Sequence, residues 1–280
     1  MNRHPSRFAR LARHALFLLI AAGTSATLAQ EVEYIPVDDA DSAVVTELAD
    51  TFTRHAYSVD RWLKLESPKE PHLTQRNVFS SFESGFKRAT VARLEYSYPV
   101  EGGTATRVYH AMSGVEPDEA FSRLLSAKAG MSPPQPLSPV ADQFRSTRWD
   151  VRASEIGHSA SDFHAAETAD GLDHSADAEL KAFRTLERDL KGGKVAAGGQ
   201  LRVRVSKIPC ESCRKVFAEF TESYGMSAEI AYIEEGSEAY GAFDNRRKTV
   251  FRTVRNNRAG TRPLRALEGN LPPERLPVCD

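Results

Sequence analysis

Residues 200–233 read QLRVRVSKIPCESCRKVFAEFTESYGMSAEIAYI and hold a strand, a helix and a second strand in succession. Apolar and basic residues alternate strictly from Gln200 to Ser206, a pattern typical of a strand. Apolar residues then recur at helical spacing between Pro209 and Gly225. Residues 227–233 predict the next strand. A strand, a helix and a strand in this order indicate an α/β fold.

The sequence before this unit adds a hairpin and further helices. Apolar and polar residues alternate from Thr90 to Ser113 around a Glu101-Gly102-Gly103 turn, which predicts a β-hairpin. Helical spacing of apolar residues predicts helices from Asp38 to about Leu65, from Pro117 to Lys128 and from Asp177 to Lys191. We therefore expect a mixed β-sheet with helices on both faces.

The composition is that of a globular protein. With 280 residues, of which 41% are hydrophobic, the chain is long enough for a full core and too apolar for general disorder. Its 37 Lys and Arg against 38 Asp and Glu give a net charge of −1, which excludes a strongly basic nucleic-acid coat protein. Charge must therefore be examined locally.

The first 29 residues are typical of a signal peptide. Four arginines and no acid precede the apolar run from Ala15 to Ala22, and the segment ends in Ala26-Thr27-Leu28-Ala29. The apolar run is shorter than the roughly 20 residues of a membrane span. We expect a secreted or periplasmic protein without a membrane segment after cleavage, with a net charge of −5 once the four arginines are lost.

Two of the three cysteines, Cys210 and Cys213, are three residues apart at the start of a predicted helix. Cysteines at this spacing lie on one face of the first turn, where the helix N-terminus favours thiolates. They can supply two ligands to one zinc ion. The same pair is also compatible with a thiol-disulfide redox centre.

A possible third ligand stands at the start of the preceding predicted helix, in Asp177-Ala178-Glu179. If Asp177 ligates zinc, one tetrahedral position remains for water, and Glu179 can shuttle protons. A separation of two residues brings both side chains to one site only where the chain is not yet fully helical. His174 is the alternative ligand.

Asp177-x-Glu179 and Pro209-Cys210-x-x-Cys213 together resemble the signature of the zinc-dependent cytidine-deaminase-like superfamily, most of all its secreted bacterial toxin deaminases. The resemblance covers roughly residues 88–240 and implies a cytidine-deaminase-like α-β-α sandwich. It implies that Asp177, Cys210 and Cys213 bind Zn²⁺ and that Glu179 is the general acid/base. Aspartate stands where the superfamily more commonly has histidine.

The resemblance also implies a reaction. Zinc-activated hydroxide attacks the ring carbon that carries an exocyclic amine, and the glutamate moves the proton that lets ammonia leave. Cytosine becomes uracil, or adenine becomes hypoxanthine. The expected substrate is a single-stranded nucleic acid or a nucleotide, and a producer of such a toxin would need an inhibitor (immunity) protein.

These predictions divide the chain into four parts: a signal peptide (1–29), a helical N-terminal segment (30–86), a deaminase-like domain (87–244) with an insertion at about 115–172, and a basic C-terminal tail (245–280). Between Asn245 and Leu267 there are eight cations and no acid, which suits a phosphate backbone. The candidate substrate-binding residues are Arg202, Arg204, Arg246, Arg247 and Phe251, the last as a stacking surface.

Other interpretations of the same features stay open. The basic run is equally typical of a solvated tail or of a face for an acidic protein, and Arg202 and Arg204 are equally typical of the exposed side of an edge strand. For the whole chain, the alternatives are a CxxC redox protein and a non-catalytic binding domain stabilised by zinc.

Overall fold

A computed structural model of the protein describes residues 32–129, 136–154, 160–164 and 174–258. The strands are β1 Val32–Val37, β2 Val91–Val100, β3 Gly103–Met112, β4 Asp150–Arg152, β5 Gln200–Val205 and β6 Ser227–Ile233. The α-helices of the described residues are α1 Ala43–Glu66, α2 Arg76–Arg88, α3 Pro117–Ala129, α4 Ala178–Lys191, α5 Glu211–Tyr224 and α6 Glu238–Arg258. Short 3₁₀ turns lie at Pro71–Thr74 and Val140–Gln143.

The six strands form one mixed sheet in the order β1-β6-β5-β2-β3-β4. The predicted hairpin is confirmed, because β2 and β3 pair in antiparallel fashion around Glu101 and Gly102, and Gly102 adopts a φ of 85° that favours glycine. The predicted β5-α5-β6 unit is also confirmed, with β5 and β6 parallel. Gly225 ends α5 in the left-handed conformation.

Helices pack on both faces of the sheet, as the sequence predicts. One apolar core contains Phe183 of α4 and Phe217 of α5 against strand residues such as Val203. The other core joins α1, α2, α3 and α6, with Trp62 and Phe251 among its fully buried side chains. The fold is therefore an α/β sandwich whose two cores each bury a separate set of helices.

Two strands that the sequence analysis did not predict join this sheet. Val32–Val37 pairs in parallel with β6, so the segment 30–86, which we expected to be helical, begins with an edge strand of the same sheet. Asp150–Arg152 pairs in parallel with β3, so the predicted insertion contributes a strand as well. Both are difficult to find in sequence, because one is a half-exposed edge strand without clear alternation and the other has three residues.

The start of the expected basic tail is a helix. Residues 245–258 belong to α6, whose residues Phe243, Phe251 and Val254 are buried in the core. Residues 259–280, with Arg262 and Arg265, lie outside the described residues, as does the predicted signal peptide. Within the described ranges, no helix is long and apolar enough to cross a bilayer.

Candidate metal centre

The start of α4 positions two of the predicted site residues. Asp177 is the N-cap of α4, with an extended backbone (φ −65°, ψ 143°), and its side chain makes no capping hydrogen bond to the helix. Glu179 lies in the first turn and is 4% exposed. The condition that the Asp-x-Glu pair stands at the beginning of the helix is met.

The start of α5 positions the two thiols in the same way. Cys210 is the N-cap, and its sulfur accepts a hydrogen bond from the backbone N–H of Cys213 at 3.3 Å. Cys213 is buried, whereas Cys210 is partly exposed, and both are free thiols. A cysteine at an N-cap replaces the usual serine or aspartate and brings its sulfur to the positive end of the helix.

One carboxylate oxygen joins the two helix starts. Oδ2 of Asp177 is 3.5 Å from Sγ of Cys210 and 3.5 Å from Sγ of Cys213. Two ligands of one tetrahedral zinc, at the usual Zn–S and Zn–O lengths, are about 3.5 Å apart. The carboxylate that the sequence predicts as a ligand therefore lies at a distance that fits a shared metal ion from each of the two predicted thiol ligands.

His174 belongs to this cluster as well. Its Nδ1 lies 2.9 Å from Oδ2 of Asp177 and 3.7 Å from Sγ of Cys210. The ligand atoms of His174, Asp177 and Cys210 all lie within 4.8 Å of one another, so this group could hold a metal ion. The sequence analysis treated His174 as a competitor of Asp177, whereas the structure places the two side chains in contact. The His-x-x-Asp spacing across the helix start was the signal for that contact.

The cluster changes the acidity of its members. Burial, together with the charges of Asp177 and Cys210, raises the pKa of Glu179 to about 8. A hydrogen bond from the Cys213 thiol lowers the pKa of Cys210 to about 6 against the opposing effect of burial. The same hydrogen bond and burial raise the pKa of Cys213. Without metal, the arrangement therefore favours one thiolate beside a protonated carboxylic acid.

The two strand arginines proposed as substrate contacts are engaged elsewhere. Arg204 is 5% exposed and contacts Glu47 of α1 at 3.4 Å and Glu229 of β6 at 2.7 Å. Arg202 is half exposed and lies 3.6 Å from Glu95. The alternative interpretation, an exposed edge strand, is wrong too, because β5 lies between β6 and β2. Arg204 forms part of a charged layer that is buried between the sheet and α1.

The three residues of α6 that were candidate substrate contacts also have different environments. Phe251 is fully buried and packs against the rings of Phe52 and Phe86, so it offers no free face to a base. Arg246 is exposed and donates to the hydroxyl of Thr46. Arg247 is 5% exposed, yet it lines a surface cavity.

That cavity, of about 470 Å³, adjoins the loop that leads to Cys210. Four cations line it against two acids: Lys87, Arg88, Lys207 and Arg247 against Glu235 and Asp244. Lys207 donates to the carbonyl of Arg88, and its charge acts on the pKa of Glu179. The sequence analysis missed Lys87, Arg88 and Lys207, because these residues come from separate segments that only the fold brings together.

The chain matches no protein-family model, and comparisons with curated proteins and with solved structures found no match either.

Proposed function

We propose that the protein is a zinc-dependent hydrolase that deaminates cytosine or adenine in a single-stranded nucleic acid or a nucleotide. The observation that carries the proposal is the position of Asp177 Oδ2, 3.5 Å from both thiol sulfurs, with the buried Glu179 two residues further on. A dithiol and a carboxylate suit zinc, and an additional glutamate that is not a ligand suits general acid/base catalysis.

In this proposal Asp177, Cys210 and Cys213 hold the metal at the N-termini of α4 and α5. Both helix dipoles favour the three anionic groups there. When bound, zinc would act as a Lewis acid toward a water molecule. Glu179 would carry the proton at its carboxylate, and its burial keeps bulk water away from that proton.

His174 has a supporting role in this proposal. Its Nδ1 is 2.9 Å from Asp177 Oδ2, whereas nitrogen and oxygen ligands of one tetrahedral zinc are about 3.3 Å apart. The shorter distance is that of a hydrogen bond, which would orient the carboxylate and offset part of its charge. The fourth coordination position would then remain open for water.

The cationic cavity beside Lys207 supports a phosphate-bearing substrate. Its excess of positive charge lies next to the loop of Cys210, where the backbone of a strand or the phosphate of a nucleotide would approach the metal centre. This assignment replaces Arg202, Arg204 and Phe251 as substrate contacts and keeps Arg247.

Export and toxicity are further parts of the proposal. They rest on the arginines and apolar run of residues 1–29, which lie outside the described residues. Since nucleic acids are scarce outside cells, the target would lie in another cell, and an inhibitor protein would protect the producer. N-terminal sequencing of the protein recovered from the culture medium or periplasm tests export, and a mature chain that still begins at Met1 would contradict it.

The test of the reaction is reconstitution. Protein stripped of metal should not change cytosine or adenine in DNA or RNA oligonucleotides or in nucleotides, and one equivalent of zinc should start the conversion. Zinc that binds at one equivalent without starting turnover on any of these substrates would instead favour a non-catalytic zinc-stabilised domain, in which His174 is a fourth ligand.

A redox centre is the second candidate, because the partly exposed Cys210 stands in front of the buried Cys213 at a helix start. Thiol titration after aerobic purification separates the two. A zinc-free chain with a reversible Cys210–Cys213 disulfide favours redox chemistry, whereas a zinc-loaded chain with both sulfurs protected favours the hydrolase.

A further inference from the structure

A second cavity, of about 380 Å³, lies between α2, α3 and the end of the β2-β3 hairpin. Apolar side chains form most of its wall: Phe82, Phe86, Met112, Val115, Ala120 and Leu124. None of the residues of the metal centre lines it. Its size falls in the lower part of the range for small-molecule sites, about 300–1,000 Å³.

Two buried cations and one acid line this apolar cavity. Arg152 of β4 is 8% exposed, and Lys181 of α4 is 2% exposed. Arg152 donates through Nη2 to Glu116, and Lys181 Nζ lies 4.0 Å from the same carboxylate and 2.5 Å from the carbonyl of Gly114. One carboxylate thus faces two buried cations. Among the described residues that line the cavity, the buried charge therefore has a positive excess.

Several buried polar atoms of the residues that line this cavity make no hydrogen bond. Within the described part of the chain, Nε and Nη1 of Arg152 and Nε2 of His55 are buried without a hydrogen-bond partner. His55 also lines the cavity and is 4% exposed. Buried polar atoms are rarely left unpaired, because each then loses its hydrogen bonds to water without replacement. Three of them around one cavity indicate a missing partner.

We propose that this cavity binds a small carboxylic acid with an apolar body, as its monoanion. The carboxylate would accept hydrogen bonds from the guanidinium of Arg152 and neutralise the excess charge, while the body packs against Phe82, Phe86 and Leu124. A phosphate monoester is a poorer fit, because its charge of about −1.5 to −2 exceeds the excess and needs more donors. The inference does not depend on the proposed deaminase activity.

Calorimetric titration of the full chain with three probes tests the proposal: phenylacetate, indole-3-acetate and 4-methylpentanoate. We expect at least one to bind at one site per chain with a Kd below about 1 mM. Phenylacetamide, the uncharged counterpart of phenylacetate, should bind at least about tenfold more weakly than phenylacetate, because it lacks the charge-assisted hydrogen bond to Arg152.

Two variants localise the site. Arg152→Gln should weaken carboxylate binding about tenfold or more and leave phenylacetamide unaffected. Because Arg152→Gln leaves the partly buried Glu116 with less compensation and can disturb folding, Gly85→Leu provides an independent test. A Cβ at Gly85 meets no atom within 4 Å, so the side chain extends into the open volume and should abolish binding. Gly241→Leu is the matched control, since this helical glycine is equally open and does not line the cavity.

Wild-type protein that binds none of the three carboxylates at millimolar concentration, or that binds phenylacetamide as well as phenylacetate, overturns the proposal. Binding that persists unchanged in a folded Gly85→Leu variant overturns it too. Carboxylate binding that Gly85→Leu abolishes and Gly241→Leu preserves supports it.

Discussion

Among single residues, Asp177 makes the most informative set of contacts, because one of its oxygens faces two thiols and an imidazole. An aspartate adds negative charge where histidine would add none, and this should make a zinc-activated water less acidic. The hydrogen bond from His174 offsets part of that charge. His174, the alternative ligand in sequence, therefore supports Asp177 in our proposal.

His174→Gln tests this assignment. We expect the variant to bind zinc about 10- to 100-fold more weakly and still at one equivalent, because it loses an orienting hydrogen bond and no ligand. Competition titration against a chelating dye measures the affinity. His72→Gln is the control, since His72 pairs with Glu70 in the 3₁₀ turn after α1. X-ray absorption that finds a nitrogen ligand in wild type and loses it in His174→Gln would contradict a supporting role.

His55 makes a pH-dependent contribution to stability. Burial and the charges of Arg152, His110 and Lys181 hold its pKa well below the usual value. Below pH about 6.5 the unfolded chain takes up a proton at this position that the folded chain does not, so the folded state loses stability as the pH falls. The loss amounts to about 1.4 kcal/mol per pH unit for this one group.

Glu179 and Cys210 also titrate near this pH range, so the prediction concerns the difference in stability between wild type and a variant at His55. Between pH about 6.5 and 5, the free energy of unfolding of wild type should fall relative to that of His55→Gln, which cannot take up a proton. Urea unfolding of both proteins at several pH values measures it. A constant difference across this range would mean that His55 is already charged in the fold.

At the level of secondary structure, α6 shows most clearly that a charged sequence pattern can differ from how the element packs. Its arginines and lysines predict a tail that binds phosphate, yet Phe251 and Val254 recur at helical spacing on a buried face. The helical spacing of a few apolar residues is difficult to recognise within a run of charged residues. This face of the helix packs in the core and is not available to stack on a base.

Phe251→Ala should therefore destabilise the protein by about 3–5 kcal/mol, because it leaves a cavity among Phe52, Phe79, Phe82 and Phe86. The exposed neighbour Arg252→Ala should change stability by less than about 0.5 kcal/mol. Chemical denaturation measures both. A Phe251→Ala variant with wild-type stability and a weakened affinity for single-stranded oligonucleotides would restore the stacking role.

Strongly periodic elements could be predicted from the sequence, and their bounds agree with the structure to within a few residues for α1, α3, α4, α5 and the hairpin. The two motifs of the candidate metal centre could be located in the sequence because each is local: a helix start fixes the spacing within it. The burial of Arg204 and Phe251 could not be predicted from the sequence, because it depends on which elements cover these side chains. The edge strand β1 and the short β4 lacked enough residues to show a period.

At the scale of the whole molecule, the sheet brings the two motifs together. Helices α4 and α5 begin next to each other, so the side chains of Asp177 and Cys210, 33 positions apart in sequence, come to 3.5 Å. A metal bound there links two helices and thereby the core that contains Phe183 and Phe217. Metal binding and global stability should be coupled.

Removal of zinc by a chelator should therefore lower the Tm by at least about 5 °C, because a metal that binds only the folded chain stabilises it by mass action. Differential scanning calorimetry measures the shift. Glu179→Gln should show the same shift as wild type, whereas Cys213→Ser should show none. A chelator effect that persists in Cys213→Ser would place the metal elsewhere.

The most direct test of the proposed function compares wild type with Glu179→Gln, both loaded with one zinc per chain, on single-stranded oligonucleotides that contain cytosine and adenine. The variant keeps every proposed ligand and removes only the proton carrier. We predict base conversion by wild type and none by Glu179→Gln at equal zinc content. Equal conversion by both proteins, or no conversion by zinc-loaded wild type on DNA, RNA or nucleotides, would contradict the assignment.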